Sequence, residues 1–184
     1  MQATIDRSKP LPTQLPVEHA RDHYLAENGF SVAEYDSPRT PASAFGIRFT
    51  VPNTPKHRWA IMLHDLHHVA TGYGTDAIGE AEISAWELRS GWRHLGLYVG
   101  SIVVGATLFG LLLSPRRVVD AFREGGPDRA LFGRDDLSYE ALLEMNVGEL
   151  RAELEIPVSG LAKQPRALHD FAVTSAHHDP WRTT

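Results

Sequence analysis

The chain has 184 residues, of which 42% are hydrophobic and 22% are charged, as in an ordinary soluble globular protein. Its net charge of −5, without a concentrated basic segment, argues against nucleic acid as a partner. The sequence contains no cysteine, which excludes disulfides, zinc–thiolate sites and cysteine nucleophiles. Any metal ligands must therefore be His, Asp or Glu.

The N-terminal half begins with a proline-rich lead. Residues 1–16 carry three prolines and predict irregular structure. They lack the apolar segment of a secretory signal, and we therefore expect a cytoplasmic protein. A helix is predicted over residues 17–29, followed by a loop-rich connection in which residues 45–51 form one short extended piece. No pair of strands with hairpin turn chemistry is recognisable.

Two helices are predicted next, separated by a short turn. The first begins at the proline in position 55, with Asn53 or Thr54 as N-cap, and ends before Gly72. The second begins after Thr75 or Asp76 and ends before the glycine at position 91. Apolar residues keep a helical spacing along the first of them.

The remainder of the chain is also predicted to be helical. A helix begins at Pro115, and short helices are predicted within 136–145 and 146–157. The sequence predicts an all-α fold: a single-domain helical bundle of six to eight helices over residues 17–173 with a central apolar helix. Residues 174–184 are predicted to be a polar tail, whereas Leu168, Phe171 and Val173 are candidates for packing on the domain.

The apolar helix is the least polar part of the sequence. Residues 97–113 contain no charge and would span about 26 Å as a helix, against a hydrocarbon thickness of about 30 Å. Three interpretations are open: a short transmembrane helix, a helix buried on all sides in the bundle, and a helix that lines a tunnel for a long apolar ligand. The buried helix is the favoured interpretation.

A metal site is predicted at the turn between the two central helices. His64 and His68 lie one turn apart on the first helix, so their imidazoles can converge on one ion, and Asp65 is on the same side. The turn at residues 72–76 returns the chain, which places Glu80 beside them in the first turn of the second helix. A mixed nitrogen–oxygen set of this kind suits Zn²⁺ first, with Mn²⁺ or Fe²⁺ allowed. Two carboxylates would make a divalent centre formally neutral.

The segment "HDLHHVATGYGTDAIGE", residues 64–80, resembles the signature of the coenzyme Q (ubiquinone) biosynthesis family of the Coq-four type. That signature is His-Asp-x-x-His, eleven residues, then Glu. It falls here on His64, Asp65, His68 and Glu80, and the turn residues Gly72, Tyr73, Asp76 and Gly79 match as well. We expect the resemblance to extend over residues 50–157, and it is weak in the lead and the tail.

The resemblance implies an all-helical and often dimeric protein that holds a divalent metal, usually zinc, on those four residues. It also implies a hydrophobic tunnel for a polyprenyl chain and a peripheral position on the membrane surface, here the inner face. Members of the family act in ubiquinone assembly, either in oxidative decarboxylation and hydroxylation of the ring or as scaffolds for the other biosynthetic proteins. The expected ligand is a polyprenyl aromatic or quinone lipid.

Several residues around the motif have more than one interpretation. Asp65 is either a ligand or an acid–base group, and Tyr73 either hydrogen-bonds the head group or packs. His67 departs from the family pattern. It is an additional ligand, a proton shuttle or, as we favour, a solvent-facing residue. Arg116 and Arg117 are candidates for contacts with lipid phosphate or the membrane surface, although arginines at such positions more often face solvent.

Other functional classes compete with the quinone pathway. A non-catalytic carrier or scaffold that holds a polyprenyl intermediate is the first alternative. An HD-type phosphohydrolase would need a further histidine and aspartate, for which His57 and Asp120 are candidates at an unconvincing spacing. A zinc protease is less favoured, because Asp65 stands where the general-base glutamate is required.

Overall fold

The computed structural model describes residue 6, residues 8–44 and residues 47–168, and gives only the backbone for 41–44 and 47–49. Within this part of the chain there are seven α-helices, which confirms the all-α class and the expected number of helices. They are α1 (Val17–Glu27), α2 (Pro55–Thr71), α3 (Ala77–Ser90), α4 (Gly96–Leu113), α5 (Pro115–Glu124), α6 (Tyr139–Glu144) and α7 (Val147–Glu153). Single 3₁₀ turns cover Val32–Asp36, Trp92–His94 and Leu131–Gly133.

The lead has no helix or strand over residues 8–15, as expected, but it is anchored to α7. The N–H groups of Val147 and Gly148 donate to the carbonyls of Leu15 and Thr13, each at 2.9 Å. Leu11 is buried in the core. The polar tail at 174–184, the domain end at 173, and the predicted packing of Phe171 and Val173 lie outside the described residues.

A β-hairpin occupies the connection between α1 and α2. Strand β1 (Arg39–Ala44) pairs antiparallel with β2 (Ile47–Pro52), in a register that runs from Arg39 opposite Pro52 to Ala44 opposite Ile47. Strand β2 confirms the extended piece predicted at 45–51 in its described part, whereas the expectation of a loop-rich connection without a strand pair is wrong. Proline inside β1 and at the end of β2 hides the strand pattern, because proline removes a ladder donor and is tolerated only where a strand lacks a neighbour on one side.

The central pair of helices forms as the caps predict. The Thr54 hydroxyl accepts the His57 N–H at 3.2 Å, and Gly72 ends α2 with φ +80°. Asp76 caps α3 by accepting the Gly79 N–H at 3.0 Å. A β-carbon on Gly79 would lie 2.2 Å from the carbonyl oxygen of Gly74, so only glycine lets the turn cross the start of α3 so closely. The first turn of α3 is thereby held against the last turns of α2.

Helix α4 is apolar along its length, but it is not buried on all sides. It packs on α3, where a β-carbon on Gly110 would lie 2.1 Å from the β-carbon of Ala81. Of its 18 residues, only Val99, Gly100, Val103, Thr107 and Gly110 are buried. Gly96–Leu113 is also the one helix in the described residues that is long and apolar enough to cross a membrane, a criterion that a single helix meets by length and composition alone. The favoured interpretation as a fully buried helix is wrong.

Candidate metal centre

Three of the four predicted ligands meet at the turn between α2 and α3. The Nε2 atoms of His64 and His68 lie 3.1 Å apart. The Glu80 carboxylate oxygens lie 3.4 Å from Nε2 of His64 and 3.5 Å from Nε2 of His68. Three donors bound at about 2.1 Å to one tetrahedral ion are about 3.4 Å apart, so the observed separations fit a common ion. This group can hold a metal ion, as the spacing of the residues predicts.

The cluster is open on one side. The His68 side chain is fully buried, whereas 23% of the His64 side chain and 35% of the Glu80 side chain are exposed. Three protein ligands leave at least one position on a four-coordinate ion for water or a substrate, the arrangement found in catalytic rather than structural zinc sites.

The turn that follows α2 fixes the His68 ring on the side opposite the ligand nitrogen. Its Nδ1 lies 3.2 Å from the carbonyl oxygen of Tyr73, and its ring stacks on Tyr24 with 5.2 Å between the ring centroids. A carbonyl only accepts, so Nδ1 carries the hydrogen and donates it, which leaves Nε2 as the lone-pair nitrogen that faces Glu80.

His64 is held by a glutamate that the sequence analysis missed. Oε1 of Glu87, which is fully buried on α3, lies 2.9 Å from Nδ1 of His64 and 2.7 Å from Nδ1 of His67. Glu87 follows Glu80 by seven residues, which is close to two full turns, so both carboxylates project from the same face of α3. That spacing was the available signal in the sequence.

His67 is buried, and its interpretation as a solvent-facing residue is wrong. Its Nε2 accepts the N–H of Leu131 at 2.9 Å, so its Nδ1 carries the hydrogen and donates to Glu87. Both ring nitrogens are used in this way, which argues against His67 as a ligand.

The charges of the cluster stabilise one another. Burial lowers the pKa of His64, but the neighbouring Glu87 and Glu80 outweigh it and hold that pKa well above the ordinary histidine value. Burial likewise raises the pKa of each glutamate, but its neighbours outweigh burial: His68 and His64 hold the pKa of Glu80, and His64 with the hydrogen bond from His67 holds the pKa of Glu87, well below the ordinary range. Both carboxylates are therefore anionic at neutral pH.

Asp65 does not join the three ligands. Its buried carboxylate accepts the Tyr35 hydroxyl at 2.5 Å on the side of the 3₁₀ turn Val32–Asp36. Burial raises the pKa of Asp65 to about 6, although His64 and the Tyr35 bond oppose the shift. An acid with that pKa, electrostatically coupled to the cluster, fits the predicted acid–base role better than the predicted role as a ligand.

Tyr73 contributes its backbone to the centre, but its side chain lies elsewhere. The ring lines a cavity of about 360 Å³ between α3, α5 and the segment 161–164. Arg116 and Arg117 line the same cavity, and Arg117 forms a two-point ion pair with Glu82 at 2.8 and 2.6 Å. The structure thus does not bring the Tyr73 hydroxyl to the predicted head-group position.

The residues required by the phosphohydrolase alternative are not assembled either. His57 packs its ring edge against Tyr98 at the start of α4, and Asp120 lines the cavity beside Tyr73. Neither belongs to the group of potential ligands found in the described part of the chain.

No protein-family model matches the sequence, and no curated protein or solved structure matches it.

Proposed function

We propose that the protein is a metal-dependent member of the ubiquinone-type biosynthetic pathway that binds a prenylated aromatic acid and promotes decarboxylation or hydroxylation of its ring. The convergence of His64, His68 and Glu80 on one point carries this proposal. The same three residues, at the same spacing, carry the family resemblance of the sequence. The lone-pair nitrogens and the exposed side of the cluster support catalytic rather than structural use.

Zn²⁺ is the ion that this donor set favours, with Mn²⁺ or Fe²⁺ as further candidates, because two imidazoles and one carboxylate suit all three. Such an ion, held by His64, His68 and Glu80, would supply a Lewis acid for the carboxylate or phenolate oxygens of the substrate. Loss of CO₂ from the ring leaves a carbon that must take up a proton. Asp65, with its raised pKa and its bond from Tyr35, is the residue that we assign to deliver it.

The direct test is turnover by the purified, metal-loaded protein with a prenylated 4-hydroxybenzoate, with dioxygen and a two-electron reductant supplied for the hydroxylation. We expect CO₂ release that depends on the metal and falls by about a hundredfold or more in Asp65→Asn, because general acid catalysis contributes about that factor. Tight lipid binding without conversion would favour the carrier or scaffold alternative. Phosphate release from nucleotides would favour the phosphohydrolase.

The uncovered face of α4 supports a lipid partner. Large apolar side chains along it are exposed to solvent, and a contiguous apolar surface of this kind marks a site of interaction. They are Leu97, Tyr98, Ile102, Val104, Leu108, Leu112 and Leu113. The exposed cations Arg93, Arg116 and Arg123 lie just before and after this helix in the chain, and Trp92 is exposed at its start. We further propose that this face lies on an anionic membrane surface, which such flanking cations and interfacial aromatic residues favour.

Vesicle flotation tests this surface. We expect the protein to float with phosphatidylserine-containing vesicles and Leu108→Glu to partition about tenfold less, because burial of one leucine contributes about 1.5–3 kcal/mol. Val158→Glu is the matched control, since Val158 is also apolar and exposed but lies after α7. Equal flotation of Leu108→Glu and the wild type would contradict the proposal. A wild-type dimer that Leu108→Glu dissociates, without flotation of either protein, would assign the face to a second copy of the chain.

A further inference from the structure

The Glu87 carboxylate is a buried charge that contacts imidazoles and pairs with no lysine or arginine in the described residues. Its Oε1 is in contact with two imidazoles, and its Oε2 is buried without a hydrogen-bond partner. Neither lysine nor arginine forms an ion pair with it in that part of the chain. A buried carboxylate is costly unless a positive charge lies close by.

Of the two imidazoles that Glu87 touches, only His64 can bring positive charge to it. His67 is neutral by its hydrogen bonds, because its Nε2 accepts the Leu131 N–H. His64 is one of the three predicted ligands, and its Nδ1 faces Glu87 while its Nε2 faces Glu80 and His68. A divalent ion bound at Nε2 would thus be linked to Glu87 through a single imidazole ring.

We propose that Glu87 sets the charge of the metal centre: together with Glu80 it makes a divalent centre formally neutral, and His67 is the positioning residue that holds it there. The sequence assigned the second negative charge to Asp65, which faces Tyr35 instead. This inference rests on metal binding by the proposed centre and extends it to a residue outside the ligand set.

His67 is itself held too firmly to act as a mobile group. Its ring lies between Trp86 and Phe132, with centroid separations of 5.1 and 4.8 Å and edge-on geometry to both. The Leu131 N–H fixes its remaining nitrogen. The Nδ1 hydrogen is thereby aimed at Oε1 of Glu87, which keeps that oxygen within reach of His64.

A neutral centre has a specific chemical consequence. An anionic head group that binds at the open position meets no net attraction from the surrounding charges, so an aromatic carboxylate is held by its bond to the ion alone and can leave. Replacement of the Glu87 carboxylate by an amide leaves a centre of charge +1. Such a centre binds the metal ion more weakly and anions more tightly, two effects of opposite sign.

The experiment compares Glu87→Gln with the wild type, loaded with Co²⁺ as a spectroscopic probe. We expect the Co²⁺ affinity to fall by about 10–100-fold, as when other carboxylate partners of ligand histidines are removed. We expect the affinity of the Co²⁺-loaded variant for azide and for 4-hydroxybenzoate to rise about threefold or more, because one negative charge near the open position is lost. Glu87→Asp keeps the charge and should restore the anion affinity of the wild type.

Glu82→Gln is the matched control, since Glu82 is also a buried glutamate on α3 but pairs with Arg117 away from the centre. If Glu87→Gln does not fold, His67→Asn gives the second measurement: a lower Co²⁺ affinity with unchanged anion affinity, because the charge remains. Wild-type Co²⁺ affinity in Glu87→Gln and His67→Asn, or a parallel loss of Co²⁺ and anion affinity in Glu87→Gln, overturns the role of Glu87 but not the metal centre. A wild type that binds no Co²⁺ overturns the metal centre itself.

Discussion

His68→Ala and Glu80→Ala are each expected to reduce the bound metal from about one equivalent per chain to a trace after dialysis, because the proposed centre of three protein ligands is left with two. His68 is expected to show the larger effect, since its side chain is fully buried and no solvent-exposed side chain can move into its place. Elemental analysis of the purified proteins, together with a competition titration against a metal chelator, measures the loss.

His57→Ala is the matched control for this experiment. His57 lies two turns before His64 on α2 and is buried, but it is not part of the ligand group. We expect this variant to keep a full equivalent of metal, which would also remove it from the ligand set of a phosphohydrolase. Full metal content in both His68→Ala and Glu80→Ala would show that the ion, if one is bound, lies elsewhere.

Local signals predicted the parts of the fold that form the site. The cap at Thr54, the glycine at 72 and the aspartate at 76 each act within one helix turn, so the bounds of α2 and α3 followed from the sequence. The one-turn spacing of His64 and His68 is also a local property. The approach of Glu80 to the two histidines requires a short turn between α2 and α3, and the length of that turn can be read from the sequence.

Contacts between distant segments were not predictable from the same signals. Asp65 was expected to face the metal with its neighbours, but the turn Val32–Asp36 packs on that edge of α2 and offers the Tyr35 hydroxyl instead. His67 was expected in solvent because polar residues usually are. The structure covers it with α3 on one side and the turn Leu131–Gly133 on the other.

The apolar helix shows a different limit. An unbroken apolar run predicts that a helix is shielded from water, but it does not predict whether other helices, a lipid or a second protein shields it. The contacts of α4 with α3 and α5 use one face, marked by Val103, Thr107 and Gly110, and the opposite face is exposed in the described part of the chain. Sequence periodicity could not separate these cases because apolar residues occupy both faces.

Helix α2, which carries the two candidate histidine ligands, is contacted by one buried arginine that the sequence did not single out. The Arg151 guanidinium donates to the carbonyl of Ala70 in the last turn of α2 at 2.9 Å, and to those of Leu11 and Val158 at 3.0 and 2.6 Å. The last-turn carbonyls of a helix have no partner within it. Arg151 therefore joins the lead, the end of α2 and the segment after α7 by hydrogen bonds. Its partner in α2, Ala70, is less than one turn from His68.

Arg151→Ala is expected to lower the free energy of unfolding by about 3–5 kcal/mol, because two buried carbonyls and one partly buried carbonyl lose a charged donor. That is a large part of the roughly 5–15 kcal/mol that a domain has, and we expect the variant to be partly unfolded at 37 °C. Urea denaturation followed by circular dichroism measures the change. Arg134→Ala is the control: its ion pairs with Asp136 and Glu153 lie near the surface, and such pairs contribute at most about 1 kcal/mol. Equal midpoints for the two variants would mean that Arg151 is not what joins these segments.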